Sequence, residues 1–211
     1  MKIIEQSWSW VQKPVQFIES AGRTCYKSED KITPDSEEKF IRMLKDRGHS
    51  AMIEHSMASV RFITNRGVTH ELVRHRLCAF AQESTRYVDY QDEMEFIKPI
   101  WWNDNFKELH SCSPIRTSQE KWVDAMRSSE SYYKRLRKEN WRPEQAREVL
   151  PNSLKTEIVV TANLREWRHI FKLRCSKAAH PQIRNLMRSC LKGFRSEIPV
   201  LFDDYPKEYY L

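Results

Sequence analysis

At 211 residues, with 31% charged side chains and a mean hydropathy of -0.73, the chain has the composition of a water-soluble protein long enough for one sizeable core. No apolar run reaches the roughly 18 residues of a transmembrane helix, and Met1-Lys2-Ile3-Ile4-Glu5 opens without the apolar core of a secretory signal, so a cytoplasmic location is expected. The net charge of +7 suits a nucleic acid, but suits a pocket for several phosphorylated small molecules equally well.

In chain order, Ile3, Ile4, Trp8 and Trp10 alternate imperfectly and predict a strand. Pro14 is expected to start a short helix carrying Val15, Phe17 and Ile18, closed by Gly22. Lys27 to Ile32 is polar and reads as a loop. Thr33-Pro34-Asp35-Ser36 offers a cap, after which Phe40, Met43, Leu44 and Arg47 recur at helical spacing until Gly48, leaving His49 just past a helix end. Ala58, Val60 and Phe62 alternate with Ser59 and Arg61 as a strand does, Asn65-Arg66-Gly67 predicts a turn, and Val68 to Arg74 a helix. Beyond Tyr87, residues 95–100 predict a strand, and Trp101 to Pro114 an irregular excursion. Thr117 to Asn140 is the longest predicted helix, with Trp122, Met126, Ser129, Tyr133 and Leu136 on one stripe. Pro143 opens another helix that ends at Leu150-Pro151, and Thr156 to Thr161 is β-branched and predicts a strand. Helices follow over 164–173 and 181–194, the latter with Ile183, Leu186, Met187, Cys190 and Phe194 facing the core. The expectation is a single α+β domain over residues 1–211, with mixed helices packed on a mostly antiparallel sheet.

The chemistry is concentrated between Arg74 and Tyr87. Arg74, His75, Arg76, Ser84 and Arg86 put three guanidinium forks, an imidazole and a hydroxyl into one short segment, a donor set suited to phosphate. The bland reading is a solvated basic loop paired with Glu71 and Glu83. His70-Glu71 followed by His75 superficially suggests a zinc-protease helix, but the second histidine stands five residues on, where four are needed, so no metal is expected. The five cysteines are scattered without a Cys-x-x-Cys pair and are expected as reduced thiols. Arg165 and His169, four apart, share a helix face that could equally be a polar stripe. His49 could be no more than a helix C-cap.

Arg-His-Arg, seven intervening residues and Ser resembles the signature of the flavin-dependent thymidylate synthase family. Gly48-His49, Glu54-His55, Arg147-Glu148-Val149-Leu150-Pro151, Asn163-Leu164-Arg165 and Leu173-Arg174 extend the resemblance over about three quarters of the chain. It implies the thymidylate synthase-complementing fold and the reductive methylation of dUMP to dTMP, with methylenetetrahydrofolate as one-carbon donor, NADPH as reductant and FAD as cofactor. It assigns Arg74, His75, Arg76, Leu77, Gln82, Asn163, Leu164, Arg165 and His169 to FAD. It assigns Glu71, Leu72, Val73, Arg74, Gln82, Glu83, Ser84, Thr85, Arg86, Arg147 and Arg174 to dUMP, with Ser84 and Arg86 nearest the phosphate. Arg174 is implied to polarise the uracil and favour loss of its N3 proton, and His49 to lie near the folate and flavin. Ala51, Ala79 and Ala81 stand where relatives often carry hydroxyl or amide side chains, so hydrogen bonds to flavin are expected to be fewer. A homotetramer with active sites shared between subunits is implied, with neither nucleic acid nor membrane as partner.

Two rivals remain at this stage. One is a flavoprotein of this fold without synthase activity; the other is a basic single-strand nucleic-acid-binding protein that uses its aromatic residues as stacking platforms. Cys78 beside Arg76 is a tempting nucleophile, yet none is expected to be needed.

Overall fold

The computed structural model describes residues 1–15, 17–102 and 117–210. The excursion expected over 101–114 falls mostly outside them, as does Cys112. The fold is α+β, mixed helices with a mostly antiparallel sheet. A four-stranded sheet has the order β2 (Ser7–Gln12), β3 (Met57–Asn65), β6 (Lys155–Asn163), β4 (Ala79–Gln82). A two-stranded sheet pairs β1 (Lys2–Ile4) in parallel with β5 (Glu95–Ile97), with Ile3 opposite Phe96. None of the described helices is long and apolar enough to cross a membrane. The described residues gather into two compact units, each assembled from three separate stretches of chain.

The first unit comprises Met1–Ser7, Ile63–His70 and Gln82–Ile158. Its long helix α4 (Ser118–Lys138) begins with a capping box, in which the Thr117 hydroxyl accepts from the Glu120 N–H at 3.2 Å and the Glu120 carboxylate accepts from the Thr117 N–H at 2.6 Å. The predicted stripe is real: Met126 and Tyr133 are buried against Met94, Phe96, Ala146 and Leu154, and Trp122 and Leu136 pack at the margin. Helix α5 (Pro143–Ala146) passes into a 3-10 turn over Arg147–Val149, so the predicted helix ends within a residue of expectation. The predicted turn at 65–67 is absent. Helix α3 (Arg66–Leu72) starts directly after β3 because Asn65 Oδ1 accepts the Val68 N–H at 2.9 Å, satisfying an otherwise unpaired first-turn donor.

The second unit comprises Trp8–Phe62, Glu71–Ala81 and Val159–Leu211. It holds α1 (Ile18–Tyr26), α2 (Ser36–Asp46), α6 (Leu164–Arg174), α7 (Pro181–Glu197) and α8 (Pro199–Phe202). Its core is a nest of rings: Trp167 lies 5.7 Å from Phe171 and 4.9 Å from Phe194, and Phe202 lies 5.1 Å from Phe194. All five apolar residues predicted to face inward from α7 are buried. Helix α2 ends in a Schellman motif. Gly48 takes φ +69°, its N–H donates to Lys45 O, and the His49 N–H donates to Leu44 O at 2.9 Å.

Gly22 does not close the first helix as the sequence suggested; it lies inside α1, which begins at Ile18 and not at Pro14. The glycine serves packing there, since a Cβ would come within 2.4 Å of the Phe40 ring. Helix propensity alone would make Gly22→Ala stabilising by about 1 kcal/mol. The clash reverses the sign, and a loss of roughly 1–3 kcal/mol is expected in a urea titration.

Candidate active site

The Arg-His-Arg triplet follows the end of α3, which stops at Leu72 and not at Arg74 as expected. Two successive turns replace the helix: the His75 N–H donates to Leu72 O at 3.0 Å, and the Cys78 N–H to His75 O at 3.1 Å. Arg74, Arg76 and Leu77 are thereby exposed, and His75 between the arginines is buried. The guanidinium groups of Arg74 and Arg76 form no hydrogen bond or ion pair with any described residue. The bland reading required Glu71 and Glu83 as their partners. Instead Glu71 binds Arg174, and Glu83 binds Tyr90 and Lys155.

Within the second unit, His75 is one link of a chain. Arg174 Nε–H donates to His75 Nε2 at 3.0 Å, and His75 Nδ1 lies 3.3 Å from Glu166 Oε1. Because Nε2 accepts, the proton sits on Nδ1 and points to Glu166. Burial, with Arg174 and His169 adding repulsion, lowers the His75 pKa to about 4, so the ring is neutral at ordinary pH. Burial raises the Glu166 pKa, and the neighbouring His169 opposes this. Arg174 also donates from Nη1 to Glu71 Oε2 at 2.8 Å and from Nη2 to Glu71 O at 2.9 Å. A guanidinium has five N–H donors, so two have no partner among the described residues. Donor atoms of His75, Glu166 and His169 lie within 4.8 Å of one another, a spacing a metal could use. A metal on Nδ1 would force the ring proton onto Nε2, against the Arg174 N–H, so Arg174, His75 and Glu166 form a hydrogen-bond chain with His169 packed beside it.

A half-open cleft of about 330 Å³ lies elsewhere in this unit, lined in part by Cys25, Tyr26, His49, Ala51, Met52 and Arg165. The predicted residues His49 and Arg165 meet here; Tyr26 and Met52 come from stretches with no motif and were missed. Tyr26 Oη is 3.5 Å from His49 Nδ1. On α6, Asn163 Oδ1 accepts the Glu166 N–H at 2.8 Å as an N-cap, Leu164 is buried, and exposed Arg165 pairs with Glu54. The His169 ring packs edge-on against His75 at 5.8 Å.

The remaining predicted residues belong to the first unit, except Leu72 and Val73 at the end of α3, buried and exposed respectively in the second. Gln82 Nε2 donates to Thr69 Oγ1 at 2.9 Å and Thr156 Oγ1 at 3.3 Å. Glu83 accepts from Tyr90 Oη at 2.5 Å and from Lys155 Nζ at 3.2 Å. The Ser84 hydroxyl accepts the Arg86 N–H at 3.3 Å, Thr85 is buried, and the exposed Arg86 guanidinium lies over the Tyr87 ring without a carboxylate partner among the described residues. Arg147 opens the 3-10 turn, with Glu148 at 3.7 Å. Among the described residues, Arg66 Nη1 is buried with no hydrogen-bond partner, an uncommitted cationic donor that sequence reading overlooked.

The family described as thymidylate synthase complementing protein matches residues 6–200. This chain is a member of that family, the flavin-dependent thymidylate synthases. A relative bearing that name from Corynebacterium aurimucosum is 37% identical over 198 residues, spanning 90% of this chain and 79% of the relative. Another from Mycobacterium tuberculosis is 33% identical over 197 residues, spanning 90% and 78%. The fold matches a UMP/dUMP methylase, PolB, from Streptomyces cacaoi, bound with 5-Br dUMP, with a TM-score of 0.75, 22% identity and 96% of each chain covered.

A flavin-dependent thymidylate synthase needs cations for a pyrophosphate and a wall for a flat ring. Arg74 and Arg76, uncommitted and exposed, fit the first requirement, and the Tyr26 face of the cleft fits the second. Ligand pockets typically measure about 300–1,000 Å³, so this cleft has room for one ring system and not for a whole dinucleotide.

Cys78 is a poor nucleophile in this member of the family. The cation of Arg76 was expected to favour its thiolate, but burial and the Glu166 carboxylate push the thiol up to about 12. At pH 8 only on the order of one thiol in ten thousand would be ionised. Cys78→Ala is expected to keep most activity, and iodoacetamide labelling of Cys78, followed by mass spectrometry, to accelerate only as the pH approaches 12. A covalent nucleotide adduct on Cys78 during turnover would contradict this. Cys25, Cys175 and Cys190 are also free thiols.

Proposed function

We propose that the chain catalyses the reductive methylation of dUMP to dTMP as one functional domain over residues 1–211. The observation that carries the reading is the state of its arginines: among the described residues Arg74, Arg76 and Arg86 have no carboxylate partner, and Arg174 keeps two N–H donors after its contacts. In a chain with 29 Asp and Glu residues, unneutralised guanidinium groups at motif positions point to anionic ligands. The interleaving of the two units argues for one domain, since no single cut separates them.

Ser84, Thr85 and Arg86 are assigned to the nucleotide phosphate, with Gln82, Glu83 and Arg147 around the remainder. Glu71, Leu72 and Val73 are assigned to the same nucleotide, and Arg174 to the pyrimidine, where a fixed cation stabilises the negative charge left when N3 loses its proton. Arg74, Arg76, Leu77, Asn163, Leu164, Arg165 and His169 are assigned to FAD, and His49 to the folate side of the cleft. The methylene carbon of methylenetetrahydrofolate must gain two electrons to become a methyl group; NADPH is the proposed source, and bound FAD supplies the redox chemistry that relays them. The small cleft and the exposure of Arg74, Arg76 and Leu77 favour a site completed by a second copy, hence the homotetramer. A cytoplasmic location accords with these substrates.

The purified protein is expected to show a flavin spectrum and to release FAD on denaturation, and its reduced flavin to reoxidise in the presence of dUMP and folate. A colourless, inactive protein that binds single-stranded DNA would sink the reading in favour of the nucleic-acid rival. Arg165→Ala and His169→Ala are expected to yield paler protein after gel filtration, each with at least a threefold lower FAD content. Full flavin occupancy in both variants would show that this stretch is misassigned.

A further inference from the structure

We infer that His75, held by Glu166, is a positioning residue for Arg174, fixing the guanidinium through a hydrogen bond that requires one tautomer of the imidazole. The inference rests on the reading of Arg174 as the cation of the nucleotide site.

His75 stands in the middle of the most exposed part of the motif, yet its side chain is only 3% exposed. Arg74 and Arg76 on either side are free to meet ligands, whereas both ring nitrogens of His75 are occupied by protein. Nε2 accepts from Arg174 Nε at 3.0 Å, and Nδ1 faces Glu166 Oε1 at 3.3 Å. A neutral imidazole has one donor and one acceptor nitrogen, so the Arg174 bond leaves Nδ1 as the donor and Glu166 as the acceptor. The titratable and charged groups around the ring are Arg174 and Glu166 on α6, His169 on the same helix, and Glu71, which reaches Arg174 from the end of α3. Protonation of the ring would turn Nε2 into a donor facing a cation and break the link.

The geometry assigns complementary tasks to the partners of Arg174. Glu71 holds Nη1 and Nη2, each by one hydrogen, and neutralises part of the charge. His75 holds Nε without charge, which fixes the guanidinium plane while leaving the arginine electrophilic towards a ligand. A carboxylate at this place would position the group equally well and cancel the field that activates the pyrimidine. A neutral acceptor is what the chemistry needs, and histidine anchored at its far nitrogen provides one. Glu166 is itself held at the first turn of α6, where its N–H donates to the Asn163 cap. The last residue of α6 is thus tied to the first turn of its own helix through a side chain of another segment.

The test uses the full-length flavoprotein and separates the two nitrogens. In His75→Asn the side-chain amide nitrogen replaces Nδ1 and still reaches Glu166, but nothing accepts from Arg174. In His75→Gln an amide oxygen replaces Nε2 and can accept. The expected result is at least a tenfold lower kcat for His75→Asn with KM for dUMP and flavin content within about twofold of wild type, and recovery of most of that loss in His75→Gln. Equal loss of flavin and activity in both variants would make His75 a flavin ligand and overturn the inference. So would normal kcat in His75→Asn while Arg174→Ala is inactive, an outcome that leaves the functional reading intact. Normal activity of Arg174→Ala would instead sink the functional reading. Independently of activity, 15N spectra of histidine-labelled protein should show His75 neutral with its proton on Nδ1 from about pH 5 to 8, and should lose that fixed tautomer in Arg174→Ala. A proton on Nε2 in the wild-type protein would overturn the inference outright.

Discussion

Arg174→Ala is expected to lower kcat by a hundredfold or more while leaving flavin bound. The two N–H groups that Arg174 leaves unbonded among the described residues belong to a side chain only 19% exposed, so the charge acts in a partly desolvated setting. Removing one such preorganised contact to developing negative charge costs on the order of 2–4 kcal/mol in the transition state. Ground-state binding should suffer less, because the phosphate is assigned to other residues, so the loss should fall on kcat more than on KM. The removal also leaves Glu71 without its cation and His75 without its donor, and Arg174→Lys should not restore activity, since one ammonium cannot reproduce three separate anchors. Steady-state kinetics at saturating dUMP, with flavin quantified on the same samples, decides the matter. Near-normal turnover in the alanine variant would remove Arg174 from the reaction.

Trp167→Ala is expected to produce the largest loss of stability of any substitution considered, roughly 3–5 kcal/mol. Trp167 is fully buried, its ring contacts Phe62, Phe171 and Phe194, and its Nε1–H donates to Ala58 O at 3.1 Å. Truncation would leave a large cavity and an unpaired carbonyl together. The cavity opens at α6, which carries Glu166, His169 and Arg174, and the carbonyl lies on β3, so flavin retention and turnover should decline with stability. For a chain of this length the melting temperature should drop by on the order of 10 °C. Trp167→Phe keeps most of the ring volume and loses the indole bond; a drop equal to that of alanine would show that hydrogen bonding, and not packing, dominates the site.

The long helices were legible because periodicity is a local property: the stripes on α4 and α7 name their own buried residues. Strand β4 was not read, since Ala79-Phe80-Ala81-Gln82 has a single bulky apolar residue and no β-branched one, and only the neighbouring strand makes it a strand. Gly22 was read as a stop because its reason for being glycine, the Phe40 ring, lies 18 residues away. In the site, residue types at motif spacing singled out the arginines that form no ion pair with a described residue, but partner choice did not follow from proximity in sequence. Glu71 and Glu83 were the nearest carboxylates to Arg74 and Arg86, yet they bind Arg174 and Lys155. Glu166 went unnoticed because nothing in Leu164-Arg165-Glu166-Trp167 announces that one acid turns inward.

The interleaved path of the chain also governs how it can be made. Residues 8–62 include the apolar face of β3, with Ala58, Val60 and Phe62, and the Ala58 carbonyl finds its partner Trp167 only 109 residues later. At a synthesis rate of roughly 5–20 residues per second, that nascent strand waits about 5–20 s for the segment that covers it. Such non-local pairing slows folding and prolongs the exposure of a sticky surface. Production of the protein should therefore respond to slower translation and to chaperone supply, and fragments ending before residue 159 should collect as aggregates.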